Sequence, residues 1–152
     1  GGTNSVRAFG IRRIGPGAFG PNTIENGDNI DEFDRTGDLK IEGNIEYRFD
    51  ITTIFKGAVF ADFGNVWTIR QTTNEAGDLV RSGGLFEFQD FYKELGVGIG
   101  AGLRLDFSYF VMRFDLAVPI RDPNLAVGNR WVGLKDWSSD TACLNLAIGY
   151  PF

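Results

Sequence analysis

The sequence contains no histidine, and this absence removes the side chain that most often acts as a general base or binds a metal ion. It has one cysteine, Cys143, which cannot form a disulfide within the chain. Nor does it contain a run of about 18 apolar residues, the length that predicts a transmembrane helix. A membrane role would therefore have to depend on β-strands.

Charge and the first residues exclude further classes of protein. The formal net charge is -5, from 15 basic and 20 acidic side chains, so neither a nucleic-acid partner nor a polybasic membrane anchor is expected. Residues 1–3 (Gly-Gly-Thr) present no charged n-region and no apolar h-region, so no signal peptide is expected. A length of 152 residues is that of one ordinary domain.

Residues 1–37 are predicted to form a long loop, because glycine and proline interrupt them too often for a regular element. Gly15-Pro16-Gly17 is one such turn. A loop of this length is unusual in a compact domain unless it acts as a lid or a binding loop. We expect it to fold over the rest of the domain or insert into its lumen.

Acidic side chains are frequent in the second half of this loop, namely Asp28, Asp31, Glu32, Asp34 and Asp38. They suggest a calcium loop, but the required D-x-[DN]-x-[DN]-G order is missing. A solvated external loop explains them better. No metal site and no cofactor are predicted for the chain.

Alternation of apolar and polar side chains dominates residues 38–152. From Leu39 to Ile51 the alternation is unbroken, which predicts a long strand. The five predicted strands are residues 38–51, 54–68, 94–107, 110–120 and 141–152. Short turns alternate with long loops between them, as in an antiparallel transmembrane β-barrel. A soluble sandwich or lipocalin-like barrel is the alternative, since its strands also alternate.

Five strands are too few to close a barrel, and an open edge in lipid leaves backbone groups unsatisfied. The chain is therefore expected to be part of a larger barrel or one piece of a multi-chain assembly. Aromatic residues near strand ends fit the girdles found at membrane interfaces. They are Tyr47, Phe49, Trp67, Phe107, Tyr109, Phe110, Tyr150 and Phe152.

One acid, Asp62, shares a predicted strand face with Phe60 and Gly64 and needs a partner there. Arg7 in the long loop could supply a planar fork of donors. In the alternative interpretation, Arg7 is solvated and Asp62 pairs with Lys56, its neighbour on the same face. Four glycines from Gly96 to Gly102 occupy one face of the third predicted strand and leave a groove that another segment must fill.

Two motifs resemble the C-terminal end of the BamA/TamA superfamily of outer-membrane assembly and translocation barrels. The loop motif is Val6, Arg7, Ala8 and Phe9, and the inner-wall motif is Phe60, Asp62 and Gly64. The resemblance implies that the chain comprises the sixth external loop and the last five strands of a sixteen-stranded barrel. It also implies that the loop arginine meets the wall motif in the lumen. Ala8 stands where the family usually has glycine.

The end of the last predicted strand also resembles the aromatic C-terminal signal of outer-membrane barrel proteins, and it is a candidate weak seam. Its residues are Leu146, Ile148, Gly149, Tyr150, Pro151 and Phe152. Proline lacks a backbone donor, so pairing should be poor at this end. A weak seam could open sideways and offer a strand edge to an incoming chain, as the resemblance implies; an ordinary strand terminus is the alternative.

The resemblance implies a protein of the bacterial outer membrane that inserts or translocates other proteins by strand templating and lateral gating, without catalysis. Its expected partners are outer-membrane lipid, the remainder of the barrel or partner chains, and substrate barrel proteins. Three alternatives remain open: a passive channel or structural barrel, the barrel of a fused secreted enzyme, and a soluble β-sandwich binding module.

Overall fold

The computed structural model describes residues 6–10, 13–18, 37–70, 83–132 and 142–149. They contain a five-stranded antiparallel sheet, which confirms the predicted all-β antiparallel fold. The strands are β1 (Leu39–Asp50), β2 (Phe55–Trp67), β3 (Gly96–Asp106), β4 (Val111–Arg121) and β5 (Cys143–Gly149). A short 3-10 helix, Phe91–Lys93, precedes β3. Among the described residues, no helix is long and apolar enough to cross a membrane.

Each strand pairs with the next along the chain, so β1 and β5 form the two edges of the described sheet. Tight turns join β1 to β2 and β3 to β4. In the first, the amides of Ile51 and Thr52 both donate to the Phe55 carbonyl, and in the second Phe107 N–H donates to the Phe110 carbonyl. We call this side of the sheet the turn end and the opposite side the loop end.

The register places one residue of each strand in a row across the sheet. The central row is Glu46, Phe60, Gly100, Ala117 and Cys143. The face that carries this row is the polar face, and it holds the buried residues Asp62 and Asp115. Because the side-chain period of a strand is two, every second residue belongs to the opposite, apolar face.

The apolar face exposes large hydrophobic side chains over its whole width. They are Ile45, Tyr47, Phe49, Val59, Phe63, Leu103, Leu116, Leu144, Leu146 and Ile148. A contiguous exposed apolar surface of this kind marks contact with lipid or another apolar surface.

Trp67 was predicted to lie in an aromatic girdle at the membrane interface, and the structure places it elsewhere. It is fully buried, because Phe86 and Phe91 lie edge-on against its ring at centroid distances of 5.5 and 6.3 Å. The alternation that holds through most of β2 ends here, since loop residues cover the apolar face at the loop end. The last predicted strand ends at Gly149 in the described part of the chain, and Tyr150, Pro151 and Phe152 lie outside the described residues.

Candidate functional site: a loop docked on the polar face

Arg7 lies on the polar face and is only 6% exposed. Its Nε and Nη2 atoms donate to the two carboxylate oxygens of Asp62, each over 2.8 Å. The Arg7 backbone amide also donates to Asp62 Oδ2, over 3.0 Å. This two-pronged, charge-assisted arrangement is the geometry that favours arginine over lysine.

Two further carboxylates approach Arg7 from neighbouring strands. Nη1 lies 2.8 Å from Glu46 Oε2 in β1 and 3.5 Å from Asp115 Oδ2 in β4. The guanidinium carbon sits 3.3 Å above the centroid of the Phe60 ring, a cation-π contact. Phe60 and Glu46 are directly paired, whereas Asp62 and Asp115 lie one row to either side, so the register surrounds one guanidinium with three acids.

The surplus of negative charge around Arg7 is compensated by two more arginines. Arg48 Nε lies 2.6 Å from Glu46, and Arg113 contacts both Glu46 and Asp115 at 2.8 Å. The network thus has three guanidiniums, including Arg7, and three carboxylates, including Asp62, so its formal charges cancel. Removal of Arg7 would leave a net negative charge beside the buried Asp62, which is unfavourable.

The glycine row of β3 forms the groove in which the loop lies. A Cβ atom at Gly98 would collide with the Ala8 methyl group, and one at Gly96 would collide with Ile14. Only a residue without a side chain permits this close approach. Ala8 therefore takes up the space over Gly98.

The edge strand β5 also contacts the loop. Asn145 Nδ2 donates to the Arg7 carbonyl over 3.1 Å. Together with Glu46 of β1, Asp62 of β2, Gly98 of β3 and Asp115 of β4, this contact means that the loop segment touches every strand of the sheet. Its position depends on side chains from four strands and on the glycine groove of the fifth, β3, and not on a ladder of backbone hydrogen bonds.

A second attachment holds the same loop at the loop end of β2. Asn65 is 2% exposed, and its amide group donates to the carbonyls of Gly17, over 2.8 Å, and Glu94. Gly17 N–H donates to the Val66 carbonyl over 2.7 Å. Gly17 has a φ of 56° and its Cα faces the Gly83 carbonyl, so both the backbone conformation and the space require glycine. We call residues 15–17 with Asn65 the clasp.

The clasp continues into the loop before β3 through Glu94. Trp67 Nε1 donates to Glu94 Oε2 over 2.6 Å. Burial raises the pKa of Glu94 above its ordinary value of 4.5, although the Trp67 hydrogen bond opposes the shift. This half-buried carboxyl therefore favours its protonated form more than a solvated glutamate does.

Charged side chains line a cavity of about 330 Å³ on the polar face between the Arg7 network and the turn end. Lys56 and Arg104 both approach Asp106 there, at 3.4 and 3.3 Å. Within the described ranges, no cluster of acidic or cysteine side chains has an arrangement that would hold a metal ion. The arrangement is suited to docking a segment of chain, and it contains no nucleophile paired with a base.

The structure brings together the residues of the two motifs. Arg7 meets Phe60 and Asp62, and Val6 packs with its Cγ2 atom over Gly64. Phe9 packs beside the small core formed by Ala8, Phe60 and Ala117. The alternative pairing of Asp62 with Lys56 is not observed, since Lys56 approaches Asp106. Of the seam residues, Leu146, Ile148 and Gly149 lie in β5.

Several residues of this site were not identified from the sequence, among them Glu46, Asp115, Asn145 and Asn65. The first three occupy polar positions in alternating strands, like many others. Only the register between strands shows that they converge on Arg7. Asn65 is a polar residue on the face of β2 that was expected to be apolar, and this break in the pattern was the sequence signal that could have identified it.

Comparison with known proteins identifies the family. No curated protein and no solved structure matches the chain. The model of the Omp85 superfamily domain matches residues 1–131, a range that includes both motifs and four of the strands. Proteins of this superfamily reside in the outer membrane and act in protein insertion and translocation, without catalysis. The chain belongs to the Omp85 superfamily, the superfamily of BamA and TamA.

Proposed function

We propose that the described sheet is part of the wall of a closed outer-membrane barrel that inserts or translocates other proteins, with residues 6–10 docked in its lumen. The apolar face would contact lipid and the polar face would line the lumen. The observation that carries the proposal is the contact of Arg7 with Asp62, Glu46 and Asp115, because it attaches a loop to the polar face of the sheet.

The edge strand β5 is the proposed site of strand templating and lateral gating. Within the described residues it pairs with β4 alone, over Cys143–Gly149, so its other edge is open to a further strand. Its one described contact with the loop is the hydrogen bond of Asn145 to Arg7. Loop docking and β5 are therefore coupled through this side chain, and movement of the loop would remove its hydrogen bond from that edge.

Depletion of the full-length protein from its cell tests the proposed activity. We expect other barrel proteins to disappear from the outer membrane, and expression of the wild-type chain to restore them. The Arg7→Ala variant should not restore them, because the loop loses its attachment. If barrel proteins persist at normal abundance after depletion, the protein is not an assembly factor, and a passive channel becomes the better explanation.

Cross-linking tests the role of β5. A photoreactive residue at Leu146 should capture substrate barrel proteins, whereas the same residue at Ile45, on the opposite edge strand, should not. Both side chains are exposed on the apolar face, at 54% and 72%, so accessibility is matched. Equal capture at the two positions would show that β5 has no special part in templating.

A further inference from the structure

Two guanidiniums meet at the loop end between β3 and β4, at the backbone carbonyl of a third cationic residue, Lys93. Arg130 Nη1 donates to the Lys93 carbonyl over 2.8 Å, and Arg121 Nη2 donates to the same oxygen. The remaining hydrogen bonds of the two arginines go to backbone carbonyls. In the part of the chain that the structure describes, neither forms a carboxylate ion pair within 4.0 Å, and Glu94 interacts with Arg130 from beyond that distance. Two guanidiniums at one acceptor repel each other, so an anion between them would stabilise the arrangement.

A β-bulge places Arg121 at this position. Pairing between β3 and β4 shifts register between Val97 and Gly98, so that Arg121 lies opposite Val97. Directly paired residues share a face, and Val97 belongs to the apolar face. Without the shift, the alternation along β4 would point Arg121 to the polar face. The bulge thus brings a cation to the border of the apolar face, which is the kind of redirection that bulges produce.

Exposed aromatic rings accompany these cations. Trp131 is 70% exposed, with the Arg121 guanidinium 5.6 Å from its ring centroid. Tyr92 is 55% exposed, with Lys93 Nζ 5.5 Å from its ring centroid. Amphipathic aromatic rings concentrate where hydrocarbon meets headgroups. Lys93 also pairs with Asp90. Arg121 donates to three backbone carbonyls around the short 3-10 helix, whereas Arg130 donates to two, so Arg130 keeps more N–H groups available for a ligand.

We propose that Lys93, Arg121 and Arg130, flanked by Tyr92 and Trp131, bind the phosphate of an anionic lipid headgroup. The proposal rests on the proposed barrel, in which the apolar face contacts lipid. Guanidinium and ammonium donors match phosphate oxygens, and the exposed side chains below the site supply a surface for acyl chains. Free phosphate would satisfy the same donors, but it would gain nothing from that apolar surface.

Lipid retention by the full-length barrel tests this site. The protein is purified in a neutral detergent, mixed with phosphatidic acid or with phosphatidylcholine, and the bound lipid is counted by native mass spectrometry. We expect phosphatidic acid to be retained preferentially. The Lys93→Gln/Arg130→Gln variant should lose about tenfold in retention, because it keeps the structural Arg121 and removes the accessible charges.

The control variant is Lys40→Gln, which removes an exposed cation from the polar face, outside the Arg7 network. It should retain phosphatidic acid as the wild type does. Heat-modifiable migration on gels verifies that each variant forms a folded barrel. Equal retention by wild type and the double variant would overturn the site. Displacement of the lipid by equimolar inorganic phosphate would show a free-phosphate site instead. The readout does not depend on assembly activity, so its failure differs from failure of the proposed function.

Discussion

Arg7 and Asp62 lie 55 positions apart in the chain and are joined by three hydrogen bonds, two from the guanidinium and one from the Arg7 backbone amide. Both residues are almost fully buried, at 6% and 2% exposure. A long-range side-chain pair therefore fixes one point of the loop on the sheet. Substitutions in the loop and in the sheet can separate this pair from the other contacts of the loop.

The Asp62→Asn variant should release the loop. It removes one charge from a buried pair and leaves Arg7 without its main partner, a change that typically destabilises by about 3–5 kcal/mol. Trypsin cleaves after arginine, so limited proteolysis of the folded barrel reports on the loop directly. We expect cleavage after Arg7 in the variant and protection in the wild type.

Glu42→Gln is the matched control for Asp62→Asn. Glu42 pairs with Lys40 in the same sheet, but both side chains are 43% exposed. Exposed pairs contribute at most about 1 kcal/mol, so the control should stay protected from trypsin. Protection of Arg7 in both variants would show that the loop is held mainly by other contacts.

Arg7→Lys should fail to replace the arginine. A lysine keeps the positive charge but presents a point charge, and it cannot span the two Asp62 oxygens while also reaching Glu46. Trypsin also cleaves after lysine, so the same proteolysis assay applies. We expect cleavage intermediate between wild type and Asp62→Asn; full protection would mean that charge alone is sufficient.

Moving a methyl group from the loop to the sheet tests how closely the loop fits the glycine groove of β3. Gly98→Ala should displace the loop, since the new Cβ would overlap the Ala8 methyl group. The double variant Ala8→Gly/Gly98→Ala moves the methyl group from the loop to the wall and should restore protease protection in large part. Failure of the double variant to improve on Gly98→Ala would indicate that the Val118 carbonyl, 3.3 Å from the new Cβ, is the limiting contact.

Sequence and structure agree where the signal is local. Strand alternation depends on the residues themselves, so the antiparallel sheet was predictable, and the loop and wall motifs indicated Arg7 and Asp62. Glu46 and Asp115 could not be singled out, because their convergence depends on a register between distant segments. Asn65 could not be placed for a related reason, since its partners are backbone carbonyls of two loops.

Asn65→Asp should open the clasp while leaving the Arg7 network intact. An aspartate has no donor for the Gly17 carbonyl and places a negative charge beside it. A cysteine introduced at position 18, in a Cys143→Ser background, reports on the clasp by thiol labelling. We expect faster labelling in Asn65→Asp with unchanged trypsin protection of Arg7. If labelling becomes faster and the trypsin protection of Arg7 is also lost, the clasp and the Arg7 network act as one unit.

Glu94 should make the loop before β3 sensitive to pH. Burial raises the pKa of Glu94 above 4.5, so the folded state binds this proton more tightly than the unfolded state does. Its contribution to stability is therefore greatest below that value and is lost as the pH rises through the folded-state pKa. Arg130 opposes the shift, whereas Glu87 and Asp90 add to it.

Tryptophan fluorescence measures this pH effect in a variant that keeps Trp67 as its single tryptophan. Thermal unfolding followed between about pH 4 and pH 8 should show a midpoint for the Trp67 signal that falls as the pH rises. Glu94→Gln supplies an acceptor for the Trp67 N–H without a charge, so its midpoint should not fall over this range. An identical fall in both proteins would assign the effect to other carboxylates.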